Sequence, residues 1–221
     1  FKRMTIMAIL LMVGMLFALS QTIVLDFDNK RFGDNELPRL IEAGKPMLPF
    51  YPLAVLLPFG EEYISAESNF SAPHIAGEKI YIDFARQQIP ISQPMAYSPT
   101  LPDPAVYEND ALFPSKDWEY LGTQFFRGYG IAYFNIYPFR YNPVKGQIEQ
   151  KSHFELEINS AYNEDLALDK ARFVSLHAET QESLERLVHN PELATDYHKA
   201  KTMKTGGGLP LSDAKKMLII T

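Results

Sequence analysis

Residues 130–159 read GIAYFNIYPFRYNPVKGQIEQKSHFELEIN. Gly130 to Tyr141 is dense in aromatic and β-branched residues, which fit a pleated surface, so a strand is expected there. Asn142-Pro143-Val144-Lys145-Gly146 then supplies turn chemistry. Gln147 to Asn159 returns. In it Phe154, Leu156 and Ile158 alternate with His153, Glu155 and Glu157, the two-residue period of a strand with one buried face. The stretch therefore reads as one long antiparallel hairpin.

More strands precede it. Thr22 to Asp28 sets Ile23, Leu25 and Phe27 against Val24, Asp26 and Asp28. Leu53 to Leu57 is continuously apolar and is expected as a buried strand. Tyr63 to Ser68 alternates. Lys79 to Phe84 sets Ile80, Ile82 and Phe84 opposite Lys79, Tyr81 and Asp83. Glu61 and Glu62 are expected on opposite strand faces, which makes them poor acid/base partners. Short strands separated by Gly- and Pro-rich turns predict a mainly β chain, an antiparallel β-sandwich over residues 21–160. The pattern changes after Ala161. Leu176, Thr180, Leu184, Leu187 and Val188 recur at helical spacing, so a helix is expected from Ser175 to His189, ended by Asn190-Pro191. Residues 161–205 read as a helical connector, with 192–216 polar and rich in lysine.

Twelve of the 16 prolines lie between Pro38 and Pro114. The run Pro90, Pro94, Pro99, Pro102, Pro104 and Pro114 predicts a long, extended, semi-rigid excursion, of the kind that carries function in a compact domain. Ten aromatic residues fall between Trp118 and Tyr141; they read as core and sheet surface in preference to a sugar-binding platform.

The chain has 221 residues, is 46% apolar and carries a net charge of −6. That is enough apolar material for a core, without the basic excess of a nucleic-acid binder. It has no cysteine, which excludes disulfides, thiolate zinc sites and a cysteine nucleophile within these residues. Lys2 and Arg3, the apolar run Met4 to Leu19 and Ala18-Leu19-Ser20 describe a secretory signal peptide, residues 1–20, cut after Ser20. The apolar run is short for a spanning helix, so no membrane contact beyond the signal is expected. At the other end, Gly206-Gly207-Gly208 reads as a linker, and Met217-Leu218-Ile219-Ile220-Thr221 as the first strand of a following α/β domain that residues 206–221 only begin.

Sites of familiar chemistry are sparse. His74, His153, His177, His189 and His198 show no metal-type pairing, and no serine elbow occurs. Asp26, Asp28, Asp34, Asn35 and Glu36 surround Gly33 with oxygen ligands, but the spacing is not that of a calcium loop and a solvated acidic turn is preferred. No metal, cofactor or catalytic residue is expected in these residues.

Arg127-Gly128-Tyr129, followed by Tyr137-Pro138, Tyr141-Asn142-Pro143 and Gly146, resembles the R-G-Y … Y-P-x-x-Y-N-P-x-x-G pattern of gingipain-type cysteine peptidase propeptides (peptidase family C25). Gly44-Lys45-Pro46-Met47-Leu48-Pro49 is similar to that family's G-x-P-x-L-P, and Leu57-Pro58-Phe59-Gly60 to its I-P-x-G turn. Met217 to Thr221 is similar to the Y-L-I-I-T strand that opens the peptidase domain. The resemblance implies a secreted β-sandwich propeptide that assists folding of a downstream peptidase and blocks its cleft until proteolysis, the catalytic His and Cys lying beyond Thr221. It also implies a surface or extracellular location, with type IX secretion as a route. The chain's partner would be its own peptidase domain.

The proline-rich stretch from Ile91 to Asn109 suits the blocking loop. In the family a basic residue there mimics substrate. Here no Lys or Arg occurs between Arg86 and Lys116. The candidates are Met95 and Tyr97, the bulky residues of the loop, or Lys116 or Arg86 at its margins. Activation would use the basic stretch Lys199 to Lys216, with Lys201, Lys204 and Lys216 as candidate cuts. The rival reading is a β-sandwich binding or adhesion module.

Overall fold

The computed structural model describes residues 19–88 and 99–206. The element order is β1 (Leu19–Asp26), β2 (Tyr51–Leu56), β3 (Glu61–Phe70), β4 (His74–Gly77), α1 (Pro104–Tyr107), β5 (Trp118–Phe126), β6 (Tyr129–Ile136), β7 (Phe139–Asn142), β8 (Gln147–Gln150), β9 (His153–Tyr162), α2 (Glu164–Ala171), α3 (Ala178–Leu187) and α4 (Ala194–Gly206). Among the described residues three antiparallel sheets result, ordered β1-β9-β3, β2-β6-β5 and β4-β8-β7.

The first two sheets face each other and close the main core. Ile23, Leu25 and Phe27 join Phe154, Leu156 and Ile158 from one sheet; Leu53, Val55, Ala132, Phe134 and Ile136 meet them from the other. This is the expected sandwich, and the alternation seen in residues 22–28 and 153–158 faces as expected. β2 and β6 are largely apolar because much of both faces is covered. Their other sides, Leu56, Tyr129 and Ile131, pack against Val174, Leu184, Val188, Ala194 and Tyr197 of the helical connector. A third cluster, Leu37, Leu48, Ile82, Phe139, Tyr141 and Ile148, supports the small sheet.

The long hairpin divides. Its turn forms as expected, with β7 and β8 paired from Phe139↔Gln150 to Asn142↔Gln147. Beyond those pairs the arms part: β6 becomes the centre of one main sheet and β9 the centre of the other. The break falls at Pro138, which has no N–H to continue a ladder. Tyr137 N donates instead to Asp117 O, and Lys151 N to Pro138 O. Lys151 Nζ lies 2.9 Å from both Asp117 oxygens and Arg140 Nη1 3.2 Å from the same carboxylate, which pins the corner where the chain changes sheets.

Lys79 to Phe84 is not a strand. Its facing is as expected, with Ile82 buried and Tyr81 exposed. Its backbone, however, bonds to a turn, to side chains and, at Asp83 O, to Met47 N, and only Phe84 makes an isolated bridge, to Pro46. The helix expected from Ser175 runs from Ala178 to Leu187. Leu176 and Leu187 are largely exposed, while Thr180, Leu184 and Val188 are buried. β1 begins at Leu19, so the expected signal cut after Ser20 falls within it. A chain starting at Gln21 keeps the pairs from Gln21↔Ile158 to Asp26↔His153. Residues 207–221, including Lys216 and the expected strand at Met217, lie outside the described residues.

Candidate functional site

The proline-rich excursion is closed at its base. The outgoing limb, Asp83 to Gln87, is held by residues 44–47: Met47 N donates to Asp83 O at 3.0 Å, Ala85 N to Lys45 O at 2.9 Å, and Gly44 N to Ala85 O at 2.8 Å. The returning limb is held by the same segment, because Asp103 N donates to Gly44 O at 2.9 Å. Gln87 N donates across to Thr100 Oγ1 at 2.9 Å. Gly44 thus bonds one limb with its N–H and the other with its C=O. It does so at φ +83°, with Leu101 O only 3.0 Å from where a Cβ would stand. That geometry requires glycine.

After the return the chain does not stay extended, contrary to expectation. Asp103 caps α1 by accepting from Ala105 N at 2.9 Å. Tyr107 Oη donates to Ile82 O at 2.8 Å, tying the returning limb to the outgoing one. Its hydroxyl is desolvated there, which pushes its pKa well above the ordinary phenol value. Phe113 then pairs with Tyr141 through two backbone bonds of 2.8 Å.

The Tyr141-Asn142-Pro143 … Gly146 turn grips both flanks of the same loop. Tyr141, almost fully buried, donates from Oη to Ile80 O at 2.9 Å. Gly146 O accepts from Ile80 N at 2.9 Å, and Gly146 N donates to Pro143 O to close the turn. Asn142 Nδ2 donates to Asp110 Oδ1 at 2.7 Å, and its Oδ1 accepts from Lys145 N at 3.1 Å. The bonds from Asn142 and Lys145 hold the Asp110 carboxyl below its ordinary pKa.

The candidate blocking residues are placed unequally. Met95 and Tyr97 lie outside the described residues, between the two limbs in sequence. Arg86 is exposed on the outgoing limb. Lys116 is also exposed, beyond the Phe113 bridge, on the rim of a depression of about 320 Å³ lined by Leu40, Val106, Phe113 and Tyr137. Lys116 shares that depression with Glu42 and Ala105, which flank the loop base.

Arg127-Gly128-Tyr129 makes a second, separate junction. Arg127 and Gly128 form the two-residue turn between β5 and β6, both at positive φ (49° and 89°). The right-handed twist of the flanking strands favours such a turn. Arg127 Nη1 donates to Thr180 Oγ1 at 2.7 Å, and Arg127 O accepts from Ser175 N. Tyr129, fully buried, donates from Oη to Ser175 O at 3.0 Å and accepts from Gln181 Nε2 at 2.9 Å. The motif thus docks the helical connector on the sandwich. Leu57-Pro58-Phe59-Gly60 belongs to this junction too, since Tyr197 Oη donates to Leu57 O at 2.7 Å.

The basic stretch begins on a helix. Lys199 and the candidate cut sites Lys201 and Lys204, all within the expected helical connector, lie in α4. Lys201 Nζ bonds to Val174 O, and Lys199 pairs with Asp196. Around Gly33 the acidic residues are used internally: Asp34 Oδ2 accepts from Arg31 N, Asp26 Oδ1 from Asp28 N, and Glu36 pairs with Lys30. Among the described residues no group of three His, Asp or Glu is placed to hold a metal. No described helix is long and apolar enough to cross a membrane. Glu61 and Glu62 diverge as expected, with Glu61 bonded to Ser160.

Partial burial raises the Glu61 pKa above its ordinary 4.5, so the folded state binds this proton more tightly. Its contribution to stability is full below 4.5 and is lost as pH rises through the raised value. Glu61→Gln is expected to flatten that part of the pH–stability curve, measured by thermal unfolding between pH 4 and pH 7.

Several of the motif residues meet at two places: the base of the proline loop and the dock of the helices. No family model matches the sequence, and neither does any curated protein. Among solved structures, the complex of the RgpB pro- and mature domains from Porphyromonas gingivalis shares the architecture. The match has a TM-score of 0.55 at 15% identity, over 78% of this chain and 92% of that one. The fold is gingipain-propeptide-like. A weaker likeness, at TM-score 0.43 and 15% identity, links 65% of the chain to all of a chain from the structure on zymogenic latency of gingipain K, also from Porphyromonas gingivalis.

Proposed function

We propose that the chain is a secreted propeptide that assists folding of a gingipain-like cysteine peptidase and keeps it latent, without catalytic chemistry of its own. The observation that carries this reading is the double grip of Gly44 on both limbs of the proline loop. An inhibitory segment must enter a cleft without being released by it. Fixed ends lower the ordering cost of binding, and the prolines of the loop lower it further. A cut within such a loop leaves both new ends held at the base, so the severed strand is slow to leave. The sandwich supplies the rigid mount and the helical connector leads on to the peptidase domain. The fold likeness to the RgpB pro-domain complex supports the same reading.

Within the loop, Met95 or Tyr97 is the proposed pocket-filling residue, since the stretch between Arg86 and Lys116 holds no basic one. The peptidase partner would then accept an apolar or aromatic side chain at that position. Release would follow cleavage in the stretch that contains Lys201, Lys204 and Lys216. The test is a titration of a mature gingipain-type cysteine peptidase with the chain, reading residual activity on a small substrate. Inhibition that saturates at one chain per enzyme is expected. Full activity at a large excess of chain overturns the proposal.

A further inference from the structure

We infer that α4 is a gate on the basic stretch: while it is docked, the bonds after Lys201 and Lys204 are closed to proteases, and Tyr197 is the latch. The gating is a property of this chain and rests on the proposed activation step only for its biological use.

A protease needs an extended segment in its cleft, and a docked helix does not offer one. α4 has little amphipathic character to hold it, as its run of Thr, Lys and His residues indicates. What holds it is local. Tyr197 is 2% exposed. Its hydroxyl donates to Leu57 O at 2.7 Å and accepts from Gly130 N at 3.1 Å, so it bridges backbone groups of β6 and the end of β2. Its ring packs on Tyr129 at 4.6 Å and edge-on to Phe59 at 5.3 Å. One turn on, Lys201 Nζ reaches Val174 O.

The segment leading into α4 is fixed independently. His189 N donates to Ala54 O, while Asn190 Oδ1 accepts from Leu56 N at 2.7 Å and its Nδ2 donates to Leu56 O at 2.9 Å. The Asn190 amide therefore pairs with the free edge of β2 as a strand would. The chain is anchored up to Asn190 by this edge and beyond it by buried Ala194, by Tyr197 with its two backbone bonds, by His198 Nε2 at 3.2 Å from Tyr129 Oη, and by Lys201. α4 can lift while the sandwich stays folded, and lifting frees the backbone on either side of Lys201 and Lys204 together. An activating cut would then be coupled to undocking.

The experiment is limited trypsin digestion of the full chain, with mass spectrometry timing each cut. The free peptide 194–206 serves as the open reference. In the native chain, cuts after Lys201 and Lys204 are expected to be slower than in the peptide by roughly a hundredfold or more. Tyr197→Phe removes the hydroxyl and leaves Gly130 N without its acceptor, and should speed both cuts roughly tenfold. Cuts after Arg140 and Lys151, which lie in the sheet corner, should stay as slow as in the native chain. Cutting after Lys201 at the peptide's rate in the native chain overturns the gate. An unchanged rate in Tyr197→Phe overturns the latch, as does equal acceleration after Arg140 and Lys151, which would report global unfolding.

Discussion

Gly128→Ala is expected to lower the thermal midpoint by roughly 10 °C and to loosen the helical connector. Gly128 holds φ +89°, and a Cβ there would stand 2.5 Å from Val174 N and 2.7 Å from Phe173 C. Those are backbone atoms and have no rotamer to yield with. Left-handed strain costs about 1–2 kcal/mol. Pushing the Phe173–Val174 segment outward adds about 1–3 kcal/mol of overpacking. The same push separates buried Val174 from Ile131 and Tyr129, and breaks the bond from Tyr129 to Ser175. Arg127→Ala, beside it, removes the bond to Thr180 and the guanidinium contact over the Phe126 ring, and is expected to shift the midpoint by a few degrees. Calorimetry on both variants checks this. A Gly128→Ala midpoint within 2 °C of the parent would show that residues 173–175 do not dock as described.

Gly44→Ala is expected to separate stability from inhibition. Its φ of +83° and the 3.0 Å approach to Leu101 O act on the loop base, away from the main core. Strain there is relieved by letting the returning limb go, which gives up the bond from Asp103 N. The midpoint should fall by only a few degrees. Inhibition, which under our proposal depends on both limbs being held, should weaken about tenfold or more, since each ~1.4 kcal/mol of lost pre-organisation is a factor of ten. Inhibition constants for the two forms, with unfolding curves beside them, decide it. Equal constants would show that the base plays no part in binding.

Much of this architecture is legible along the sequence and some is not, for physical reasons. The alternation in residues 22–28 and 153–158 reports one buried face, and the sandwich follows from it. Tyr141 to Gly146 carries its own turn chemistry. By contrast, nothing local tells β6 and β9 to enter different sheets; Pro138 is the one mark of that division. Lys79 to Phe84 has a strand's facing, yet Ile80 O and Ile82 O accept from the hydroxyls of Tyr141 and Tyr107, partners 61 and 25 residues away. α2 buries only Ala167 and Ala171, too small a stripe to stand out. α4 is polar along most of its length and is placed by a few contacts, from Ala194, Tyr197, His198 and Lys201, that form no stripe. The base of the loop joins residues 44, 85 and 103 through backbone bonds and 87 to the Thr100 hydroxyl, which no periodicity records. The motif glycine and prolines at 44–49 mark the place but not its partners.

The most direct measurement is the inhibition titration repeated with residues 89–98 replaced by a short Gly-Ser link, leaving Gly44, Gln87, Thr100 and Tyr107 in place. A latency loop mounted on a rigid sandwich predicts an unchanged thermal midpoint and inhibition weakened by a hundredfold or more. Inhibition as strong as the parent's, from a domain equally well folded, would contradict it and move the blocking surface elsewhere on the sandwich.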